Sequence, residues 1–565
     1  MNKFVEEIKE VLKKEVDLST EEIEKIIEIP PEEKLGDYAF PCFLLAKSLK
    51  KPPDRIASDL SKKLKPKALI KEIYSIGPYV NFRVDSRKLA EFVLKEIFEK
   101  DKSYGRDETG KGKTIVIDFS SPNIAKPFGI GHLRTTVLGN SLYRIFEYLG
   151  YGCVSINHLG DWGTQFGKLI VAYKRWGDEK KLSSDPIITL FDLYVKFHQE
   201  AEKEPELEEE ARSWFKKLEQ GEKEAEGIWQ RFKDYSLKEF EKVYRMLEIS
   251  FDCYTGESFY NKYMDNTIEE IQKKGLAEIS QDALVVDLEK YNLPVCLLRK
   301  KDEATLYATR DITAAIYRYN TYKFHKLLYV VGSAQKLHFQ QVFKVLELMG
   351  YPWAKDLVHV DFGWIKFEKK IMSTRKGDVI FLEDVLNKSV ELAKDIIKKK
   401  NPDLENKDKV AFDVGIGAVV FTDLSTKRQK DINFDWDEVL DFEGQTGPYV
   451  QYTHARLCSL LRKYQKPVKR KVDFSLFSLE EEHSIIKKLE DFPKKIKMSA
   501  ETYEPAVLCS YLLDLSGVFN RFYQKQRIIT DDENATDARI LLVKSVKTVI
   551  ELGLSLLGIK APERM

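Results

Sequence analysis

The chain has 565 residues, with 92 Lys+Arg against 91 Asp+Glu and a formal net charge of +1. Length implies roughly three to five domains, and the near-zero charge excludes a global field as the means of holding a nucleic acid, so any such partner must meet local basic patches. The six cysteines (Cys42, Cys153, Cys253, Cys296, Cys458, Cys509) are scattered without a Cys-x-x-Cys pair, which argues against a zinc site or a disulfide framework and for a reducing, cytoplasmic setting.

Residues 1–105 read as a small α+β unit. Helices are expected at Phe4 to Glu15 and Pro53 to Leu64, then a hairpin through Ile76-Gly77-Pro78-Tyr79-Val80-Asn81-Phe82. The acidic amphipathic start is unlike a signal peptide, and no apolar run approaches the ~20 residues of a membrane span. A soluble protein with no membrane partner is expected. The polar stretch Lys100 to Lys113 reads as a linker.

From 111 to 435 strands alternate with helices: Thr114 to Phe119, a helix from near His132 to Leu149, then Cys153 to Asn157. This is the βαβ rhythm of a Rossmann-like parallel sheet. Residues from about 165 to 250 are helical and heavily charged, an insertion that splits the sheet in sequence. From 436 to 565 helical periodicity continues to the end, giving a C-terminal all-α bundle. The fold class is therefore α/β with an N-terminal α+β domain and a C-terminal helical domain.

The segment Ser120 to Arg134 joins the first strand of this sheet to a helix. A strand that turns through glycines into a helix offers backbone N–H groups and a positive dipole end to a phosphate, and here Asn123, Lys126 and His132 converge on that place. Gly129-Ile130-Gly131-His132-Leu133-Arg134 approaches the dinucleotide fingerprint G-x-G-x-x-G, but Arg134 stands at its third glycine. That glycine permits close helix–strand packing, so a dehydrogenase is disfavoured and a mononucleotide site is the better fit. A second cluster, Met372-Ser373-Thr374-Arg375-Lys376-Gly377-Asp378, follows the strand-like Val358 to Phe367. Its adjacent cations suit a loop that swings onto a triphosphate; a solvated basic turn is the plain alternative.

Together these segments resemble a class I aminoacyl-tRNA synthetase, and the strings Ser121-Pro122-Asn123-Ile124-Ala125-Lys126, Asn157-His158-Leu159-Gly160-Asp161-Trp162-Gly163 and Gly447-Pro448-Tyr449-Val450-Gln451-Tyr452 resemble the arginyl-tRNA synthetases in particular. The resemblance continues through Gly256-Glu257-Ser258, Tyr307-Ala308-Thr309-Arg310-Asp311 and the last residues, and covers nearly the whole chain. It implies a ligase that activates L-arginine with ATP and Mg²⁺ and transfers it to the terminal adenosine of tRNA(Arg), with activation that requires the tRNA. A monomer is expected, with no resident metal site. A catalytically silent tRNA-binding relative and a small-molecule adenylyltransferase are the rivals.

A guanidinium has five donors and no acceptor, so its pocket needs carboxylates and a ring face. Tyr307 and Asp311, four apart at an apparent helix start, lie on one face. The resemblance adds Glu257 and Gln335 to the arginine pocket, assigns Ser121 and Asn123 to the arginine main-chain end, and counts His132 among the arginine-binding residues. It gives Gly131, His132, His338 and Met372 to ATP, and Lys126, His132, Arg375 and Lys376 to catalysis. The first signature of the family usually has His at both ends, and Gly129 replaces the first one here. In the second signature Thr374 occupies the customary lysine position, and Lys126 is expected to take over that role. For tRNA the resemblance implies Tyr79, Asn81 and Phe82 at the elbow and Tyr449, Tyr452 and Met565 in the terminal domain. The run Arg462 to Lys471 is a further candidate for phosphate contacts, or simply a solvated face.

Overall fold

The computed structural model describes residues 3–30, 32, 35–299, 307–367 and 380–565. Its contacts divide into two compact units. The first comprises Met1–Tyr104, Leu460–Asp491 and Gly517–Val549; the second comprises Gly105–Ser459, Phe492–Ser516 and Ile550–Met565. This grouping does not follow the three-part division expected along the chain, because segments of the terminal helical region belong to different units.

The second unit is built on a parallel sheet in the order Leu357–His359, Lys326–Tyr329, Thr114–Asp118, Gly152–Ile156. Ile115, Val116 and Ile117 are fully buried, as expected of a strand covered on both faces. The chain leaves Thr114–Asp118 towards one sheet edge and Lys326–Tyr329 towards the other. The two central strands therefore flank the point where strand order reverses, and the crevice beyond their carboxyl ends is where such sheets bind ligands. Helix Leu133–Tyr148 follows the first strand. Its Gly139 sits where a Cβ would lie 2.2 Å from the Phe119 ring. The close approach expected of a third fingerprint glycine is thus made by Gly139, while the Arg134 side chain is used elsewhere.

The insertion is helical, from Thr164–Trp176 to Lys223–Leu247. The single strand expected over Val358 to Phe367 is two: Leu357–His359 in the main sheet, and Ile365–Phe367 paired in parallel with Ile432–Phe434. The chain changes partners at Gly363, whose Cβ position lies 2.8 Å from Asp431 and Lys430 atoms.

In the first unit Ile70–Ile76 and Tyr79–Val84 form the expected hairpin, with Tyr38–Pro41 on the other side of Tyr79–Val84. Gly77 turns the chain at φ +54°, which glycine adopts without steric cost. The terminal region carries helices Gly447–Tyr464, Glu480–Thr502, Ala506–Lys525 and Glu533–Leu556.

Candidate active site

The loop after Asp118 is strained and fixed. Ser120, Ser121 and Ala125 have φ of 70°, 48° and 57°, a region costing about 1 kcal/mol or more for each non-glycine residue. Hydrogen bonds hold all three. Ser120 N–H donates to Thr135 Oγ1 (3.0 Å), Ser121 N–H to Asn157 Oδ1 (3.2 Å) and Ala125 N–H to Ser236 Oγ (2.8 Å). Ser121 Oγ also donates to Asp118 Oδ1 at 2.9 Å, and Asp118 pairs with buried Arg318 at 2.8 Å.

Beyond the sheet lies a cavity of about 500 Å³ whose lining includes Ser121, Asn123, Gly131, His132, Gln335 and Trp364. It occupies the crevice at the carboxyl ends of the two central strands. His132 Nδ1 lies 3.3 Å from the Gly129 carbonyl, and burial, with the nearby Lys126 charge, holds its imidazole below the usual pKa. Gly129 pairs its backbone with Phe381. Lys126 donates to Gln165 Oε1 at 3.2 Å and stands 5.5 Å from the Tyr194 ring centre, outside the cavity lining.

Glu257, Tyr307, Asp311 and His338 belong to a second cluster. Helix Tyr307–Tyr322 starts there, with Tyr307 63 % exposed. Burial pushes Glu257 up to about 7, with Arg310 opposing the shift and Asp311 and Asp161 adding to it. Arg310 Nη1 approaches its carboxylate only to 3.8 Å. Burial alone would also raise Asp311, but His338, His158 and Arg318 outweigh it and hold that carboxyl below its usual range. His338 Nε2 donates to Asp311 Oδ2 at 2.5 Å, so the structure places this expected adenosine contact on an expected arginine contact. His158 Nδ1 lies 2.9 Å from the Thr255 carbonyl. A carbonyl only accepts, so Nδ1 carries the proton and Nε2 faces Asp311 Oδ1 at 4.0 Å.

Residues that composition and spacing did not single out hold these groups in place. Fully buried Asp161 receives the Ser258 N–H and hydroxyl, each at 2.8 Å, and Lys233 Nζ at 2.7 Å. A Cβ on Gly256 would come 2.6 Å from Asp161 Oδ2, so the Gly256-Glu257-Ser258 turn tolerates only glycine at its first position. Tyr244 bonds both Ser120 and Asn157 from the end of the insertion, a role with no local sequence signal. Met372, Thr374, Arg375 and Lys376 lie outside the described residues.

The residues expected to meet tRNA are placed unequally. In the first unit Phe82 and Asn81 are buried (0 % and 2 % exposed), so their side chains serve the sheet; Tyr79 is half-buried, edge-on to Phe43 at 5.8 Å. Lys466, Lys469 and Arg470 of the basic run already pair with Glu533, Asp537 and Glu99. In the second unit Arg456 lies over the Tyr452 ring at 4.9 Å, Tyr449 is half-buried in the same helix, and the Met565 carbonyl accepts from Asn401 at 3.1 Å. Among the described residues no helix is long and apolar enough to cross a membrane, and no group of three or more His, Cys, Asp or Glu is placed to hold a metal ion.

Three family models match successive parts of the chain: an arginyl tRNA synthetase N terminal domain over 2–84, the catalytic domain of tRNA synthetases class I (R) over 93–436, and a DALR anticodon binding domain over 450–565. The arginine–tRNA ligase of Halothermothrix orenii is 52 % identical over 563 residues, and that of Clostridioides difficile 50 % over 566, each covering 100 % of both chains. Among solved structures, Thermus thermophilus arginyl-tRNA synthetase superposes with a TM-score of 0.82 at 27 % identity, covering 95 % of this chain and 96 % of that one. The Plasmodium falciparum enzyme shares the fold at a TM-score of 0.83 and 24 % identity, covering 100 % and 99 %. With its full length matched and a sheet whose switch-point crevice lies beside a buried carboxylate cluster, the chain belongs to the arginyl-tRNA synthetase family of class I.

Proposed function

We propose that this chain is an arginine–tRNA ligase, forming arginyl-adenylate from L-arginine and ATP and passing the arginyl group to the 3′-terminal adenosine of tRNA(Arg). The observation that carries this reading is the pair of adjoining sites: a cavity at the switch point walled in part by Gly129, Gly131, Gly332 and Gly363, and beside it two carboxylates, Glu257 and Asp311, with Tyr307 at the start of the helix that holds Asp311.

The guanidinium enters between Glu257 and Asp311 with the Tyr307 ring beside it. Buried Glu257 holds its proton up to about 7, and a fixed cation next to it favours the ionised form. Ser121, Asn123 and Gln335 hold the main-chain end, where Ser121 is oriented by its bonds to Asp118 and Asn157. The arginine carboxylate attacks the α-phosphorus of ATP, the bond to the bridging oxygen breaks, and pyrophosphate leaves. No enzyme nucleophile is needed. Positioning of this kind supplies up to ~7–11 kcal/mol, and the Gly131 amide with the helix dipole favours the phosphate charge, the His132 amide being turned to the Gly129 carbonyl at 2.9 Å. Neutral His132, its Nδ1–H turned to the Gly129 carbonyl, offers Nε2 to the nucleotide as a hydrogen-bond acceptor without adding charge. Mg²⁺ enters on the ATP phosphate oxygens, its usual mode. Lys126, Arg375 and Lys376 neutralise the departing pyrophosphate, with Met372 and His338 near the adenosine. Tyr79 contacts the tRNA elbow from the N-terminal domain of residues 1–105, and Tyr449, Tyr452 and Met565 meet the tRNA from the helical domain of residues 436–565. The enzyme works as a cytoplasmic monomer.

ATP–pyrophosphate exchange with each amino acid, with and without tRNA, tests this function. Exchange with arginine alone, and only in the presence of tRNA, is expected. No exchange under any condition would indicate a silent tRNA binder. In the same assay Lys126→Ala is expected to slow exchange at least tenfold, and a rate within a few-fold of wild type removes Lys126 from the catalytic set.

A further inference from the structure

We propose that Arg134 is a positioning residue for ATP, clamping the wall Phe362–Ile365 of the switch-point cavity through backbone carbonyls in two segments. The proposal rests on the reading that this cavity takes ATP. Arg134 is 1 % exposed. Its Nη1 donates to the carbonyls of Gly363 (3.2 Å) and Lys430 (2.5 Å), its Nη2 to that of Lys427 (3.4 Å), and its Nε lies 3.7 Å from Asp423 Oδ1. Asp423 is itself buried at 4 % exposure, and its Oδ2 has no hydrogen-bond partner among the described residues. A carboxylate with so little else to do there serves as the counter-charge that keeps a guanidinium in the protein interior.

The two segments so held are also stapled to each other. Gly363 N–H donates to the Arg428 carbonyl (2.8 Å), Trp364 N–H to Asp431 Oδ1 (2.9 Å), and Ile432 N–H to the Trp364 carbonyl (2.8 Å). Arg428 Nη1 returns a bond to the Asp361 carbonyl at 2.6 Å. The next residue of the helix, Thr135, donates to the Val330 carbonyl at 2.6 Å. One helical turn thus fixes both the sheet side and the opposite wall of the cavity. Three carbonyls in two segments call for a planar fork of donors; an ammonium on a flexible stem spans them poorly. The residue whose place in the fingerprint speaks against a dehydrogenase thereby acquires a task of its own.

The test uses the full-length protein with Arg134→Lys and with the near-isosteric Asp423→Asn, which leaves the guanidinium in place. Calorimetric titration with a non-hydrolysable ATP analogue, without arginine, and steady-state charging kinetics are measured together. Arg134→Lys is expected to raise the ATP-analogue Kd and the KM for ATP about tenfold or more while the KM for arginine stays within twofold. Asp423→Asn is expected to move the ATP values in the same direction by a few-fold. Should Arg134→Lys not fold, Asp423→Asn decides alone. Unchanged ATP values with only a lowered Tm, or equal rises for ATP and arginine, overturn the proposal. A wild-type protein that binds the analogue but charges no arginine contradicts the function, and the titration still tests the clamp.

Discussion

Glu257 and Asp311 lie in one cluster yet have opposite environments. Asp311 has two histidines about it and stays ionised; Glu257 has a backbone hydrogen bond from Trp162 and the 3.8 Å approach of Arg310, which burial outweighs, and keeps its proton up to about 7. In the absence of a ligand this is a cost to the fold. Between the ordinary carboxyl value of 4.5 and about 7 the folded chain binds a proton that the unfolded chain has released, so stability falls as pH rises through that window and stays lower above it. At about 1.4 kcal/mol per unit the loss is on the order of 3 kcal/mol. Glu257→Gln is therefore expected to raise Tm at pH 8 but not at pH 4.5, while weakening arginine binding at both. Thermal scans and arginine titrations check it, and a Tm gain of equal size at both pH values would show that ionisation is not the cause. Such a residue was legible in the sequence only through the family string around it, because nothing in Gly256-Glu257-Ser258 announces burial. Asp311 and Tyr307 had a physical signal as well, their shared face at a helix start. Asp161, which shapes the Glu257 turn, stood inside a recognisable string without a recognisable task.

At the scale of elements, the strand–loop–helix junction was legible because burial, turn residues and helical periodicity change within a few positions. What the sequence did not disclose was how the helix comes close to the sheet. Its glycine for that purpose is Gly139, five residues after the fingerprint position, and only the contact with Phe119 reveals it. The consequence has a definite sign. In an exposed helix interior, replacing glycine by alanine stabilises by about 1 kcal/mol. Here the new methyl would lie 2.2 Å from a ring held between strand and helix, and overpacking costs about 1–3 kcal/mol. Gly139→Ala is expected to lower the urea midpoint and, because Phe119 precedes the strained Ser120–Ser121 turn, to raise the KM for ATP. An increased midpoint would mean that the ring yields freely and that the junction is not set by this contact.

At the scale of the whole molecule, the grouping of contacts was not legible, since periodicity carries no information about partners 385 or 446 residues away. The first 104 residues share a compact unit with Leu460–Asp491 and Gly517–Val549. Asp37, its side chain 6 % exposed, accepts from Val84 N–H and from His483 and Lys487 at 2.8, 3.2 and 2.9 Å. Tyr104 donates to the Leu489 carbonyl at 2.9 Å, and Lys544 reaches Asp101 at 3.3 Å. Burial would raise Asp37, but these histidine and lysine partners hold it down to about 2, so the group is built for its ionised form and needs both sides of the unit. Cutting the chain after residue 104 does not free an appended module; it removes one half of a core and leaves the faces of two helical segments in water. The truncated chain is expected to lose solubility or to unfold at least 10 °C lower and less cooperatively, in addition to losing tRNA charging. If residues 1–104 were an independent module, the truncation would keep the wild-type Tm and only weaken the binding of tRNA, and calorimetry alongside a tRNA titration tells the two apart.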